Sequence, residues 1–339
     1  MIMASPRIAR SCGLACVLLW SVTSIAAAAN DRETCAMALP NPEVIAACNA
    51  LINATGTSTK DRAIATGYRA DAKRAQGDLP GAVADYSQAL TLWPDDVRAL
   101  NGRGLAYRDL RKYDLALGDF VRAIGIEPND AELYNSRGIT YRAVGDLGRA
   151  IADFDQAIKL SPNYPLALNN RGNAYRDSKQ PDRAIADFTR AIALLPNYAD
   201  AFFNRGIVES NDKGDLDKAI ADYSAAIKFN PWFTQALLAR AVAYSRQQNL
   251  TAALADYTTA IELDPQFEPA YRNRATLFLN IGDNARAIAD LDAAIRLDSQ
   301  DAKALYERGL AKQRSGDATG GIADIAAAQK LVPDIANKL

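Results

Sequence analysis

Arginine and aspartate recur along this chain at matched intervals. The arginines are Arg69, Arg103, Arg137, Arg171, Arg205, Arg240, Arg274 and Arg308, and the aspartates are Asp85, Asp119, Asp153, Asp187, Asp222, Asp256, Asp290 and Asp324. A guanidinium and a carboxylate form a planar two-point ion pair. Eight identical pairs do not make eight active sites, so a ladder of partly buried structural pairs is expected, Arg137 with Asp153 and Arg171 with Asp187 among them. Such pairs fix packing geometry more surely than they add net stability. A second set could act on a ligand. Asn101, Asn135 and Asn169 are spaced by 34 residues, as are Arg108, Arg142 and Arg176. Amides can hydrogen-bond an extended backbone, and guanidiniums can take carboxylates. Enzymatic chemistry has little to work with. The chain has no histidine, which removes the commonest general base and the commonest metal ligand. No nucleophile–base arrangement, phosphate loop or metal-ligand cluster stands out, so no catalytic residue, cofactor or metal is expected. A formal charge of −1 gives no electrostatic reason to expect nucleic acid as a partner.

These residues ride on a repeated unit. In Ala131–Tyr164, with Ala131 as position 1, Tyr134 stands at 4, Gly138 at 8, Tyr141 at 11, Ala150 at 20, Phe154 at 24, Ala157 at 27 and Pro162 at 32. The proline recurs as Pro94, Pro128, Pro162, Pro196, Pro231, Pro265 and Pro333, with Ser299 replacing it once, and the one irregular spacing lies between Pro196 and Pro231. Ala150, Ile151, Phe154, Ala157 and Ile158 form one apolar helical stripe. Glycine at 8 and alanines at 20 and 27 let two helices approach closely while the aromatics fill the space between them. One helix pair cannot cover its own stripe, so neighbours must stack. The pattern resembles the tetratricopeptide repeat, or TPR, a helix–turn–helix unit. The resemblance covers about four fifths of the chain. It implies an all-α fold, a right-handed superhelical solenoid of about eight stacked antiparallel helix pairs, with repeats at 63–96, 97–130, 131–164, 165–198, 199–233, 234–267, 268–301 and 302–333 and a tail at 334–339.

Ahead of the repeats, residues 1–29 place Arg7 and Arg10 before an apolar run that closes in alanines near Ala27–Ala29. This is the pattern of a cleaved secretory signal, and the chain is therefore expected in the periplasm or outside the cell, with no membrane span after cleavage. The alternative is a retained anchor, since Ser11–Ala29 is nearly long enough to cross a bilayer. Cys16 makes a poor lipoprotein signal. Residues 30–62 then keep Cys35 and Cys48, an even pair that reads as a disulfide in an exported chain. VIAACNALI matches the second-helix pattern with Cys48 at position 24, so a capping helix is expected there, followed by a linker at Asn53–Lys60. The arrangement resembles the Cys-containing start of exported bacterial TPR proteins.

Several repeats depart from the pattern. Lys73 and Lys312 replace the aromatic at position 11 in the first and last repeats, and Glu209 replaces it in the fifth. The fifth also holds one extra residue within SNDKGDLDK, expected to lengthen the turn between its helices. The resemblance implies a concave groove lined by positions 2, 5, 9 and 12 of each first helix. That lining would include Asn101, Asn135, Asn169, Asn173, Arg108, Arg142 and Arg176, then Phe203, Leu238 and Tyr306 on a more apolar stretch. Asp109 and Asp177 could instead neutralise the arginines. The family's two-carboxylate clamp is not reproduced, because its position-5 lysine is asparagine here and only Asn173 matches its asparagine at 9. The implied function is a non-catalytic periplasmic scaffold that binds a peptide or protein segment in the groove. A receptor for an envelope glycan or other anionic ligand is the alternative. The last helix, GIADIAAAQKLV, is expected to expose an apolar stripe for self-association or a partner unless the residues after it fold back.

Overall fold

In a computed structural model, residues 31–37 and 42–337 are described. The expected signal segment lies outside the described residues. Among these residues there is no strand, and no helix is long and apolar enough to cross a membrane. The chain divides into two units, one ending at Pro162 and the other beginning at Asn163.

The first unit contains the capping helix α1 (Pro42–Asn53) and three helix pairs: α2 (Thr59–Ala75) with α3 (Leu79–Leu92), α4 (Val97–Asp109) with α5 (Tyr113–Ile126), and α6 (Ala131–Ala143) with α7 (Leu147–Leu160). The second contains five: α8 (Pro165–Asp177) with α9 (Pro181–Leu194), α10 (Ala199–Val208) with α11 (Leu216–Phe229), α12 (Thr234–Arg246) with α13 (Leu250–Leu263), α14 (Glu268–Asn280) with α15 (Asn284–Leu297), and α16 (Ala302–Arg314) with α17 (Ala318–Leu331). Within each unit every pair packs against the next. The first member of each pair is called helix A and the second helix B. Thr59 and Lys60, read from the sequence as linker, belong to α2, because Ser58 caps that helix by accepting from the Asp61 amide at 3.0 Å.

The hairpins close as the residue types require. The alanines at positions 20 and 27 are fully buried in each of the first seven repeats, Ala150 and Ala157 for example. A Cβ on Gly138 would lie 2.7 Å from the Phe154 ring, and the same distance separates Gly104 from Phe120 and Gly172 from Phe188. In these repeats glycine at 8 therefore brings the ring at 24 close against helix A, whereas Ala70, Ala241 and Ala275 hold the position in the first, sixth and seventh. In the last repeat the approach is closer still. A Cβ on Gly321 would meet the Gly309 carbonyl oxygen at 2.6 Å, so these two glycines admit each other's backbone.

Helix A always ends in a left-handed residue. Gly77, Gly145, Gly214, Gly282 and Gly316 have φ between 71° and 92°, and Arg111, Lys179 and Gln248 occupy the same place at 58°, 60° and 61°. Helix B is commonly started by an aspartate or asparagine, such as Asp146, whose carboxylate accepts from the Arg149 amide at 3.0 Å. That side chain satisfies one of the free amides of a helix start.

Candidate functional site

Every hairpin carries the same ion pair. Arg137 on α6 donates from Nε and Nη2 to the two carboxylate oxygens of Asp153 on α7 at 2.8 and 2.7 Å. Arg171 meets Asp187 in the same way, at 2.7 Å for both bonds. The geometry repeats in the pairs headed by Arg69, Arg103, Arg205, Arg240, Arg274 and Arg308. The aspartates are buried and the arginines half-buried. The hydrogen bonds it donates to Asp153 hold the Arg137 guanidinium above its ordinary pKa, against the opposing effect of burial.

Two features of this ladder escape a reading of the sequence. In at least six hairpins the remaining Nη1 donates to a side chain on the preceding helix B or the cap: Asn49, Ser87, Thr189, Ser224, Thr258 and Asp292, at 2.6 to 3.1 Å. Each such arginine therefore ties its hairpin to the previous one. Position 25 supplies every one of these acceptors, and a recurring small polar or acidic residue there was the available signal. Position 11 is the other feature. The Tyr141 ring lies between Arg137 and Arg149, 5.8 and 4.5 Å from its centroid. At the first and last repeats Lys73 and Lys312 stand there instead and reach Asp85 and Asp324 at 2.8 and 2.9 Å. Burial acts to raise the Asp324 pKa, but hydrogen bonds from Arg308 and Lys312 outweigh it and hold the carboxyl below its ordinary value.

Cys35 and Cys48 are joined, with Cα atoms 4.9 Å apart. Both are buried with Val44, Ala47, Ala65 and Ala72, so the bridge lies where α1 docks on α2. Asn49, next to Cys48, accepts from Arg69. The cap thus joins the ladder as a helix B would.

The expected groove residues divide. Arg108 is half-buried and 3.2 Å from Asp109, which also lies 3.7 Å from Arg74 on α2. Arg142 is half-buried. Arg176 lies 3.5 Å from Asp177 and donates to Asn204 at 3.4 Å. Asn135, Asn169 and Asn173 are buried, and Asn169 accepts from Asn204 at 3.0 Å. Asn169, at position 5, is thus engaged by the next helix A, where an open lining of stacked amides was expected. Asn101 is half-buried, and its Oδ1 has no hydrogen-bond partner among the described residues. Phe203 packs on Phe233 and Tyr223, with ring centroids at 4.8 and 6.0 Å. Leu238 joins the clusters around Tyr257 and Leu237, and Tyr306 the cluster holding Ala328 and Ile335. All three are half-buried, packing against these clusters with part of each side chain still exposed.

One open space on the A face of the first unit takes in Asn101, an expected groove residue. A cavity of about 420 Å³ is lined by Ile64 and Tyr68 of α2, Trp93 and Asp95, Asp96 and residues of α4, and Glu127, Asp130, Glu132 and Leu133 around the start of α6. Asp71 borders this region. Burial raises its pKa, opposed by Arg98, which donates to it at 2.5 Å, and by the Tyr86 hydroxyl, which also donates to it.

At the far end, Ile335 folds back and is buried among Ala302, Leu305 and Ala328, while Ile322 and Leu331 stay exposed. The expected apolar stripe is thus covered in part.

Three stretches, residues 69–131, 211–266 and 272–334, match a family model described as tetratricopeptide repeat. Residues 165–198 match a second model of that description, and 138–178 one described as TPR repeat. No curated protein matches the chain. Among solved structures, a tetratricopeptide repeat protein from Parabacteroides merdae is similar at 20% identity and a TM-score of 0.57, over 75% of this chain and 98% of that one. PilW, a type IV pilus biogenesis factor, is similar at 21% identity and a TM-score of 0.55, over 60% and 94%. In the APC/C hetero-tetramer Cut9–Hcn1 the figures are 15%, 0.55, 86% and 57%. With one hairpin pattern running through both units and a single family model matching more than half of its residues, the chain belongs to the tetratricopeptide repeat family.

Proposed function

We propose that the chain is a non-catalytic interaction scaffold of the periplasm, whose A helices hold an extended peptide or protein segment. The observation that carries this reading is the row of A helices within each unit. Helices α2, α4 and α6 touch in sequence in the first unit, as α8 with α10 and α12 with α14 and α16 do in the second. Their outward positions mix half-buried arginines, amides and apolar side chains, which suits a segment with both backbone and side-chain contacts. The joined Cys35 and Cys48 and the basic-apolar-alanine leader support export.

The test is cross-linking of the mature chain in periplasmic extract, followed by mass spectrometry of the joined peptides. Cross-links from one recurrent partner to residues of the A helices, weakened by salt, are expected. Cross-links confined to the B helices, or none above background, would overturn the reading. Retention by purified polysaccharide with no protein partner would transfer the same face to an envelope ligand.

A further inference from the structure

Asp96 is one of the residues on the A face whose surroundings are incomplete. It is only 4% exposed. Its Oδ1 caps α4 by accepting from the Ala99 amide at 3.1 Å, and its Oδ2 is buried with no hydrogen-bond partner among the described residues. Asn101 Oδ1 is in the same condition, and both residues line the cavity of about 420 Å³. Both atoms are acceptors, so the missing group is a donor. Five of the lining side chains are carboxylates against the single guanidinium of Arg98, and that guanidinium is turned to Asp71 at 2.5 Å and to the Tyr68 ring at 4.1 Å. A buried carboxylate oxygen without a donor is costly, and the lining calls for a donor that also carries positive charge.

The chain itself shows what such an aspartate takes. Asp96 is position 34 of its repeat, a position held by Asp130 in the second repeat and by Asp301 in the seventh. Asp301 caps α16 with one oxygen, as Asp96 caps α4, and its other oxygen is 3.2 Å from Nε of Arg272. Arg272 is position 5 of the same repeat. In the first repeat position 5 is Gly67, which brings no side chain. The guanidinium that completes Asp301 from within has no counterpart at Asp96.

We propose that this cavity takes the guanidinium of an arginine side chain carried by a bound peptide segment, with Asp96 and Asn101 accepting from it. The proposal rests on the peptide-binding reading above and gives the bound segment a basic residue at the N-terminal end of the array.

Two probes test it separately. The first is acetyl-arginine methylamide, titrated into the protein at millimolar concentration while the Trp93 indole and Asn101 amide resonances are followed. The second is a set of otherwise random short peptides with arginine, lysine, citrulline or glutamate fixed at the centre. Asp96→Asn keeps the cap, since asparagine caps helices as well as aspartate does, and removes the charge. Asp301→Asn is the control, because that site is already filled. The arginine probe should shift both resonances in the native protein and in Asp301→Asn and leave them unmoved in Asp96→Asn. Arginine-centred peptides should bind roughly tenfold tighter than citrulline-centred ones, and Asp96→Asn should abolish the difference. Peptide binding indifferent to the central residue, with no shift from the probe, would overturn the arginine site and leave the scaffold reading standing. Shifts from the probe without retention of any peptide would keep the site and overturn the scaffold reading. An equal response to lysine would overturn the guanidinium assignment.

Discussion

Breaking the Arg137–Asp153 pair measures how the ladder holds a hairpin together. The side chains are 18% and 8% exposed, and the two bonds are 2.8 and 2.7 Å long. Each hydrogen bond to a charged group contributes about 1.5 kcal/mol at the low end of its range. Asp153→Ala removes both and leaves a half-buried guanidinium, for a loss of about 3 kcal/mol, the lower bound for breaking a buried pair. Arg137→Ala costs a similar amount by stranding the carboxylate. In the double variant neither charge is stranded, so its cost should fall short of the sum by about 2 kcal/mol. Urea melts followed by far-ultraviolet circular dichroism, at low and high salt, give the four stabilities of the cycle. The coupling should persist at high salt because the pair is shielded from solvent. A coupling below about 0.5 kcal/mol, the value for exposed pairs, would show that the ladder is surface charge and that packing alone fixes the hairpin.

Lys179→Gly should stabilise the second unit by about 1 kcal/mol, since Lys179 sits at φ 60° where glycine carries no Cβ penalty; thermal melts check this. Gly138→Ala should destabilise by about 1–3 kcal/mol, because the new Cβ meets a fully buried Phe154 ring at 2.7 Å, and a neutral result in urea would mean the hairpin opens freely. Burial, then the neighbouring Asp71, raises the Tyr86 pKa above its ordinary 10.0. A raised folded value makes its contribution full below pH 10.0 and progressively lost above it, at about 1.4 kcal/mol per pH unit. Tyr86→Phe should therefore flatten the alkaline decline in stability by that slope. Reducing Cys35–Cys48, which closes a loop across 13 positions, should destabilise the docked cap by about 3 kcal/mol in the chain-entropy model, seen as faster amide exchange in α1.

The hairpins are legible in the sequence because the closest contacts admit few residue types. Only glycine or a small residue fits where helix A meets the buried ring, so Gly138 and Phe154 recur and show the period. The turn is less legible. Its left-handed residue is glycine in five repeats but Arg111, Lys179 or Gln248 in the others, so no single letter marks it. The link at position 25 is hidden because any acceptor serves, and Asn49, Ser87, Thr189 and Asp292 look unrelated. The lining was hardest to read. Helical periodicity tells that Phe203, Leu238 and Tyr306 share a face, but not whether a neighbouring helix covers it. Asp96 is illegible because a helix-capping aspartate is ordinary, and only its buried, unpartnered Oδ2 sets it apart.

The fifth repeat shows which parts of the unit are constrained. Its extra residue was expected in the connecting turn, yet the chain absorbs it earlier, as a π-helical turn at Glu209–Lys213 that ends helix A before Gly214. Two junctions explain the choice. Arg205 and Asp222 are 17 residues apart instead of 16, yet they make the same two bonds at 2.9 and 2.7 Å. The amide of Asp215, which opens helix B, donates to the Glu209 carbonyl at 2.9 Å, as that of Asp146 does to Tyr141 in the third repeat. The carbonyl at position 11 and the ion pair between positions 7 and 23 are thus held in common. Only the backbone between position 11 and the start of helix B is free to lengthen, and a wider helical turn lengthens it while keeping its amides bonded. The aromatic ring is given up at the same place. Glu209 is buried there beside Arg205 and Lys218, on a cavity of about 310 Å³. A ring at position 11 is therefore dispensable to the hairpin, whereas the arginine, the aspartate and the position-11 carbonyl are not.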